Sequence, residues 1–296
     1  MADKQIGIIG EVLFDAFPDG KQILGGAPFN VAWHLQAFGR HPCFISRVGD
    51  DARGASIRSA MLDWGMDTGL LQTDAEHPTG TVKISINNGE PDYDILDNQA
   101  YDFITSTQLD AREHYDIIYH GTLALRHVVS EQALHDLKTR HTGIVFLDVN
   151  LRKPWWQARQ VSAWLADADM VKLNHDELML LTCRQGHIKD LMRSFLAEHC
   201  LQLLIVTRGS QGAISLTDKG EFVEITPIEH LTIVDTVGAG DAFAAVFLQG
   251  LLSGWPLPLT MSRAQDFASA LVTRRGATVS DLNFYHPFIV AWSTDS

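Results

Sequence analysis

Short apolar runs alternate with longer amphipathic segments along most of the chain, and this alternation constrains the fold more than any other feature. The apolar runs lie at residues 6–10, 43–48, 117–119, 143–147, 170–173 and 203–206. The intervening helix-like segments lie at residues 30–38, 131–139, 155–166 and 188–199. Because strands of a parallel sheet are buried on both faces and are joined by helices, the pattern predicts a mostly parallel sheet with helices on both sides.

A second region has the pattern of antiparallel strands. Residues 81–86 alternate in polarity, Asn-Asn-Gly at 87–89 is a turn signal, and residues 93–96 resume the alternation. Together with the segment at 12–24, the segment at 79–101 predicts a small sheet that projects from a single domain of residues 1–296 and acts as a lid. An ordinary surface hairpin has the same periodicity, so that alternative stays open.

Charge and composition exclude several classes of partner. The chain has 23 Lys and Arg against 36 Asp and Glu, a net charge of −13, and its cations are scattered. Such a chain repels phosphate backbones, so we expect no nucleic-acid partner. No apolar run reaches the ~20 residues needed to span a bilayer, and the first residues do not resemble a signal peptide, so we expect a cytoplasmic protein without a membrane partner.

The cysteines give no site. Cys43, Cys183 and Cys200 have neither metal-ligand spacing nor an even-numbered disulfide pattern. We therefore expect three buried thiols in a reducing compartment.

The run Asp-Thr-Val-Gly-Ala-Gly-Asp-Ala-Phe at 235–243 carries the strongest chemical signal. It follows a strand-like run at 231–234 and opens a helix rich in small residues. Gly238 and Gly240 allow close backbone approach, and amides at a helix N-terminus form an anion site. Asp241 would repel an anion there, so its carboxylate fits a base that takes a proton from an attacking hydroxyl. A helix N-cap is the structural alternative for this residue.

This run resembles the C-terminal signature of the ribokinase-like, PfkB-type carbohydrate kinases. The resemblance implies a three-layer α/β/α domain with a mostly parallel central sheet, a small β-sheet lid, and transfer of the γ-phosphate of ATP to a sugar with Mg²⁺. It implies that Asp241 is the catalytic base and that the backbone of residues 237–240, which includes Gly238, Ala239 and Gly240, holds the γ-phosphate. No Walker-type lysine accompanies the run, which argues against a P-loop enzyme.

Three upstream elements are similar to the sugar side of this family. Gly25 and Gly26 precede Asn30 as in the family's GGxxxN element, where paired glycines allow close approach and an amide can donate and accept hydrogen bonds. Asp15 matches the family's sugar-binding aspartate. Arg152 ends an Asp-Val-Asn-Leu-Arg run similar to the DxNxR run of fructokinases and 2-keto-3-deoxygluconate kinases. A turn with a capping residue, a solvated loop acid and a surface cation are the respective alternatives.

Two further elements are similar to the nucleotide side. Asn174 and Glu177 match the family's NxxE element, in which Glu177 would organise Mg²⁺ through its waters, and one carboxylate suits that ion. Thr207, Gly209 and Gly212 match its TxGxxG turn along the triphosphate. A helix cap and a tight turn are the structural alternatives.

A monovalent-cation site is also implied by the resemblance. It would bind K⁺ beside the anion site, where a cation offsets negative charge, and its residues would be Asp235, Val237, Arg274, Gly276 and Ser280. A helix end with glycine after it would explain the last three of these residues without an ion.

The motif details favour fructose as substrate. Leu13 and Ala27 stand where ribokinases have Asn and Lys, which disfavours ribose. A 2-keto-3-deoxygluconate, ribose or nucleoside kinase and a non-catalytic sugar sensor stay open, because a fold does not fix a function. The sequence argues against a dinucleotide-dependent oxidoreductase, because no GxGxxG follows the first strand. It also argues against a hydrolase with a Ser-His-Asp triad, because no histidine lies in a recognisable nucleophile context. The family resemblance also favours a homodimer through the lid, since an unpaired strand edge invites pairing.

Overall fold

The computed structural model describes residues 4–87, 90–108, 114–227 and 232–293. Within these ranges the strands are β1 (Ile6–Ile9), β2 (Leu13–Ala16), β3 (Gln22–Gly25), β4 (Cys43–Gly49), β5 (Leu71–Asp74), β6 (Gly80–Asn87), β7 (Glu90–Ile95), β8 (Ile117–His120), β9 (Ile144–Asp148), β10 (Met170–Asn174), β11 (Leu203–Thr207), β12 (Ala213–Thr217) and β13 (Phe222–Ile225). The α-helices are α1 (Ala27–Ala37), α2 (Ala52–Asp63), α3 (Val128–Arg140), α4 (Ala158–Ala166), α5 (His175–Thr182), α6 (Ile188–Glu198), α7 (Ala239–Ser253), α8 (Leu257–Leu271) and α9 (Leu282–Ser293).

Nine strands form the large sheet, in the order β13-β12-β11-β10-β9-β8-β1-β4-β5. Every pairing from β11 to β5 is parallel, and only β12 and β13 run antiparallel to their neighbours. The mostly parallel sheet predicted from the alternation is therefore confirmed.

Alternate side chains of the central strands enter two separate hydrophobic cores. Ile117 and Tyr119 of β8 pack in a core with α1, α2, α7, α8 and α9. Ile118, between them, packs in the other core with α3, α4, α5 and α6. Since successive side chains of a strand point to opposite faces, the helices form a layer on each side of the sheet, which confirms the three-layer α/β/α architecture.

A separate four-stranded sheet has the order β3-β2-β6-β7. Its strands fall within the two segments predicted to form a small sheet, although β3 extends one residue further, to Gly25. The predicted turn at 87–89 lies largely outside the described residues. The sheet ends at Ile95, and Tyr101 follows in a 3₁₀ turn, fully buried in the same hydrophobic core as Val82 and Ile95 of the sheet. That this sheet closes as a lid stays a prediction.

Two local predictions are wrong. Residues 232–234 form no strand, because the amides of Val234 and Asp235 donate to the carbonyl of Val272 at the end of α8 (2.8 and 3.1 Å). Cys183 and Cys200 are exposed, because both follow helix ends with left-handed backbones (φ 50° and 53°). Within the described ranges, no helix combines the length and the apolar character that crossing a bilayer requires.

Candidate active site

The polar residues singled out in the sequence gather at one edge of the large sheet. Asp148, Asn174 and Thr207 end the neighbouring strands β9, β10 and β11, and Asn174 is directly paired with Thr207. Because parallel strands point the same way, their carboxyl ends share one edge, which is where open α/β sheets bind ligands.

The first turn of α7 contains the residues that were predicted to form an anion site. Gly238 is the N-cap, with φ +79°, and a Cβ atom there would lie 2.4 Å from the Cβ of Ala277. Only glycine therefore lets the turn reach the loop after α8. The first backbone N–H groups of a helix have no carbonyl partner within it and carry partial positive charge, so this turn can bind an anionic group.

Asp241 and Asn30 are joined although 211 positions separate them in the chain. The Asn30 Nδ2 donates to Asp241 Oδ2 at 2.8 Å. The alternative that Asp241 caps α7 is wrong, because Gly238 occupies the N-cap and no side chain caps that helix. Burial raises the pKa of Asp241 to about 6, and the hydrogen bond from Asn30 opposes the rise.

The start of α1 holds Asn30 in place. Its N-cap, Gly26, has φ +115°, and a Cβ atom there would lie 2.6 Å from the carbonyl oxygen of Glu11. Gly25 ends β3 next to this cap, and a Cβ atom added to Gly25 would lie 3.9 Å from Asn30 Oδ1. The paired glycines thus bring the small sheet, the loop after β1 and the start of α1 together.

Arg152 lies among three carboxyl groups. Its guanidinium lowers the pKa values of Asp15, Glu11 and Asp241, in each case against the larger effect of burial, which raises them. Asp15 is on β2 of the small sheet and is half-buried. The structure thus joins Asn30 to Asp241 by a hydrogen bond and places both Asp15 and Asp241 within the influence of the Arg152 charge. That these four residues bind a sugar stays a prediction.

Glu11 belongs to the same group and was not among the predicted site residues. Its side chain is only 4% exposed, and burial raises its pKa to about 7, with the Asp241 charge adding to the rise. Its Oε2 atom has no hydrogen-bond partner among the described residues. The sequence signal that could have identified Glu11 is an acidic residue just after the buried strand β1.

Glu177 fixes two loops through its carboxylate. Its Oε2 accepts the amide of Asn174 at 2.8 Å, and its Oε1 accepts the amide of Leu151 at 2.7 Å. The side chain of Asn174 in turn accepts the amide of Glu177, which completes a capping box at the start of α5. Both predicted nucleotide-side residues are therefore engaged in local structure, and Glu177 also ties down the loop that contains Arg152.

The turn after β11 has the predicted glycines. Gly209 opens a short 3₁₀ turn, and the Arg208 amide donates to the carbonyl of Gly212 at 2.7 Å. The guanidinium of Arg208 pairs with Glu224 at 2.8 Å, which holds the turn against β13. Thr207 and this turn adjoin Asn174 at the carboxyl edge of the sheet.

The residues predicted to bind a monovalent cation are brought together in part. Asp235 accepts the amides of Val237 and Gly276, one on each carboxylate oxygen, both at 3.0 Å. The Arg274 guanidinium lies over the Phe284 ring, 4.6 Å from its centroid. Ser280 is exposed.

The chain was compared with known proteins. Residues 10–283 match the model of the pfkB family of carbohydrate kinases. A fructokinase of Escherichia coli is 31% identical over 263 residues, which cover 84% of this chain and 85% of the relative. A fructokinase of Klebsiella pneumoniae is 31% identical over 294 residues, covering 92% and 94%.

A solved structure shares the fold. The aminoimidazole riboside kinase of Salmonella enterica, in complex with aminoimidazole riboside and an ATP analogue, superposes with a TM-score of 0.84 at 24% identity, covering 98% of this chain and 100% of that one. The family match over most of the chain, with these relatives, shows that the chain belongs to the pfkB family of carbohydrate kinases.

Proposed function

We propose that this sugar kinase is a fructokinase, which transfers the γ-phosphate of ATP to a hydroxyl of fructose. The observation that carries the proposal is the 2.8 Å hydrogen bond between Asn30 and Asp241, because it joins the sugar-side element to the anion site of α7. The two fructokinases at 31% identity support fructose as the substrate.

Asp241 is proposed as the general base. With a pKa of about 6 it is mostly ionised at neutral pH, yet it is a stronger base than an exposed aspartate. Asn30 occupies its Oδ2 and orients the carboxylate, so the other oxygen can accept the proton of the attacking hydroxyl. Asp15, the Gly25–Gly26 turn and Arg152 would hold the sugar against it.

The charge that develops on the transferred group needs fixed donors. The backbone of Gly238, Ala239 and Gly240 at the start of α7 is proposed to supply them. Hydrogen-bond donors that are already in place at the moment of transfer lower the activation free energy by several kcal/mol, because no solvent has to reorganise.

ATP is proposed to lie along Asn174, Thr207, Gly209 and Gly212. Among the described residues, no group of three or more His, Cys, Asp or Glu could hold a metal ion. Mg²⁺ is therefore proposed to be bound mainly by phosphate oxygens and waters, with Glu177 acting through one of the waters. When bound, Mg²⁺ neutralises charge on the phosphates.

K⁺ is proposed to bind where Asp235 meets Val237 and Gly276, completed by the backbone of Arg274 and by Ser280. The fit rests on the two amide contacts that hold the Asp235 carboxylate at this junction. Activity assayed in K⁺ and in tetramethylammonium, at equal ionic strength, tests this site, since equal rates in both salts would exclude it.

The small sheet is proposed to close over the sugar and to pair with a second copy of the chain. The proposal rests on Asp15, which lies on β2 of that sheet and whose pKa is lowered by the charge of Arg152 in the main domain. The edge strands β3 and β7 offer unpaired backbone groups. Size-exclusion chromatography with light scattering tests the dimer, and a monomer at micromolar concentration would contradict it.

A panel of acceptors tests the substrate. ADP release would be measured with fructose, aminoimidazole riboside, 2-keto-3-deoxygluconate, ribose and a nucleoside. We expect the highest kcat/KM with fructose. A higher value with any other acceptor would replace fructose, and sugar binding without turnover of any of them would favour a sugar sensor.

A further inference from the structure

A buried ion pair lies beneath the candidate active site. The Lys172 Nζ of β10 donates to both carboxylate oxygens of Asp148 on β9, at 2.9 and 2.8 Å. Both side chains are nearly inaccessible, with 6% and 4% of their surfaces exposed. The Tyr119 hydroxyl, fully buried on β8, donates to Asp148 Oδ2 at 3.1 Å.

The ammonium group of this pair lies under the first turn of α7. A Cβ atom on Gly240 would be 3.5 Å from Lys172 Nζ, which is an ordinary van der Waals contact, so the ammonium group lies directly against the first turn of the helix. Its two bonds to Asp148 fix the ammonium group at this position.

Stability alone does not explain this pair. Removing two charges from water costs several kcal/mol for each ion, and well-packed apolar residues at such positions are usually as stable or more so. Apolar side chains surround the pair in the sheet: Ile205 is the neighbour of Lys172 on β11, and Val171 and Leu173 flank it on β10. A buried pair located at a reaction centre therefore points to a role there.

We propose that Lys172 is a positioning residue for phosphoryl transfer: its ammonium group, under the first turn of α7, compensates the Asp148 carboxylate and so keeps that charge from repelling the negative charge gathered above it. Asp148 and Tyr119 hold the ammonium group in place. Because a preorganised charge in a site shielded from water is only weakly screened, it can act on Asp241 and on the transferred phosphoryl group without touching either. The inference rests on the proposed role of Asp241.

The electrostatic surroundings of Asp241 support this role. The polar and charged groups that act on it or respond to it come from several elements: Glu11 after β1, Asn30 on α1, Tyr119 on β8, Asp148 on β9, Arg152 in the following loop and Lys172 on β10. Burial is the main cause of the raised pKa of Asp241, and Asp148 raises it further. Lys172 opposes both, since a nearby cation favours the carboxylate.

The test uses Lys172→Met and Asp148→Asn, and it compares the pH dependence of kcat/KM with that of the unaltered enzyme. Loss of the cation should move the acid limb up by about one pH unit and lower kcat at pH 8 by about tenfold. Loss of the Asp148 charge should move the acid limb down. Lys172→Arg, which keeps the charge, should restore most of the profile.

A purely structural role would give a different pattern. Uniform loss of rate at all pH values, or acid limbs that move in the same direction in both variants, would overturn the inference. If Lys172→Met does not fold, the direction of the Asp148→Asn shift decides alone. Lys138→Met is the matched control, because it breaks a 2.7 Å ion pair with Asp167 away from the site and should leave the profile unchanged. Turnover of fructose by the unaltered enzyme tests the proposed function separately.

Discussion

Replacing Gly238 by alanine should damage both the stability and the activity of the enzyme. The added Cβ would lie 2.4 Å from the Cβ and 2.5 Å from the Cα of Ala277, where no real contact is so short. The φ of +79° adds strain of about 1 kcal/mol for any residue with a side chain. Relieving the overlap costs a further ~1–3 kcal/mol, so the free energy of unfolding should fall by about 2–4 kcal/mol.

Gly220→Ala is the matched control for this prediction. Gly220 has φ +80°, and nothing lies within 4 Å of a Cβ there, so it carries the strain without the overlap. We expect it to lose only about 1 kcal/mol in urea unfolding and to keep its kcat. Gly238→Ala should also lose at least about tenfold in kcat, because the displaced turn supplies the proposed anion site. Equal stabilities of the two variants, with kcat retained in both, would refute the close packing of α7 on the loop after α8.

Three further substitutions test two parts of the site and one part of the core. Asn30→Ala removes the hydrogen bond that favours the ionised form of Asp241, so the acid limb of kcat/KM should move to higher pH and kcat should fall roughly tenfold or more, as a pH-rate series would measure. Glu177→Ala leaves two buried amides unpaired, at about 1–3 kcal/mol each, so isothermal titration should show weaker ATP binding and denaturation a lower stability. His34 is buried and hydrogen-bonded to Tyr285 and the Ala277 carbonyl, and burial lowers its pKa from 6.5 to about 4. Between pH 6.5 and pH 4 the His34 imidazole is therefore protonated in the unfolded chain but neutral in the folded chain. The free energy of unfolding should fall by about 3 kcal/mol as the pH drops from above 6.5 to 4. Urea unfolding of the unaltered chain beside a His34→Gln variant, which should not show this loss, measures the effect.

The fold could be predicted because its signals are local and repeated. In β8, Ile117 and Tyr119 enter one helix-covered core and Ile118 enters the other, so the whole strand is apolar. Continuous apolar runs of this kind, separated by amphipathic segments, are visible in the sequence. Residues 232–234 continue a similarly apolar run, yet they form no strand, and the Val234 amide donates to the Val272 carbonyl at the end of α8. The conformation of that segment depends on a contact with a residue far away in the chain, which a local stretch of sequence does not reveal.

The candidate site was predicted in its membership more than in its geometry. Asp15, Asn30, Arg152 and Asp241 do lie together, but only the structure shows that Asn30 donates to Asp241. The ion pair of Lys172 and Asp148 depends on the register of β9 and β10, which sequence patterns leave undetermined. In the sequence, the ion pair is indicated only by a lysine, Lys172, within an otherwise apolar run.

The most direct test of the proposed mechanism is the turnover of Asp241→Asn with fructose and ATP, beside Asp190→Asn as control. Asp190 also lies in the first turn of a helix, but it is exposed and pairs with Arg193 at 3.0 Å. We predict that Asp241→Asn folds, binds ATP and loses turnover by roughly a thousandfold or more, while the control keeps its rate. Near-normal turnover of Asp241→Asn would contradict its role as the base.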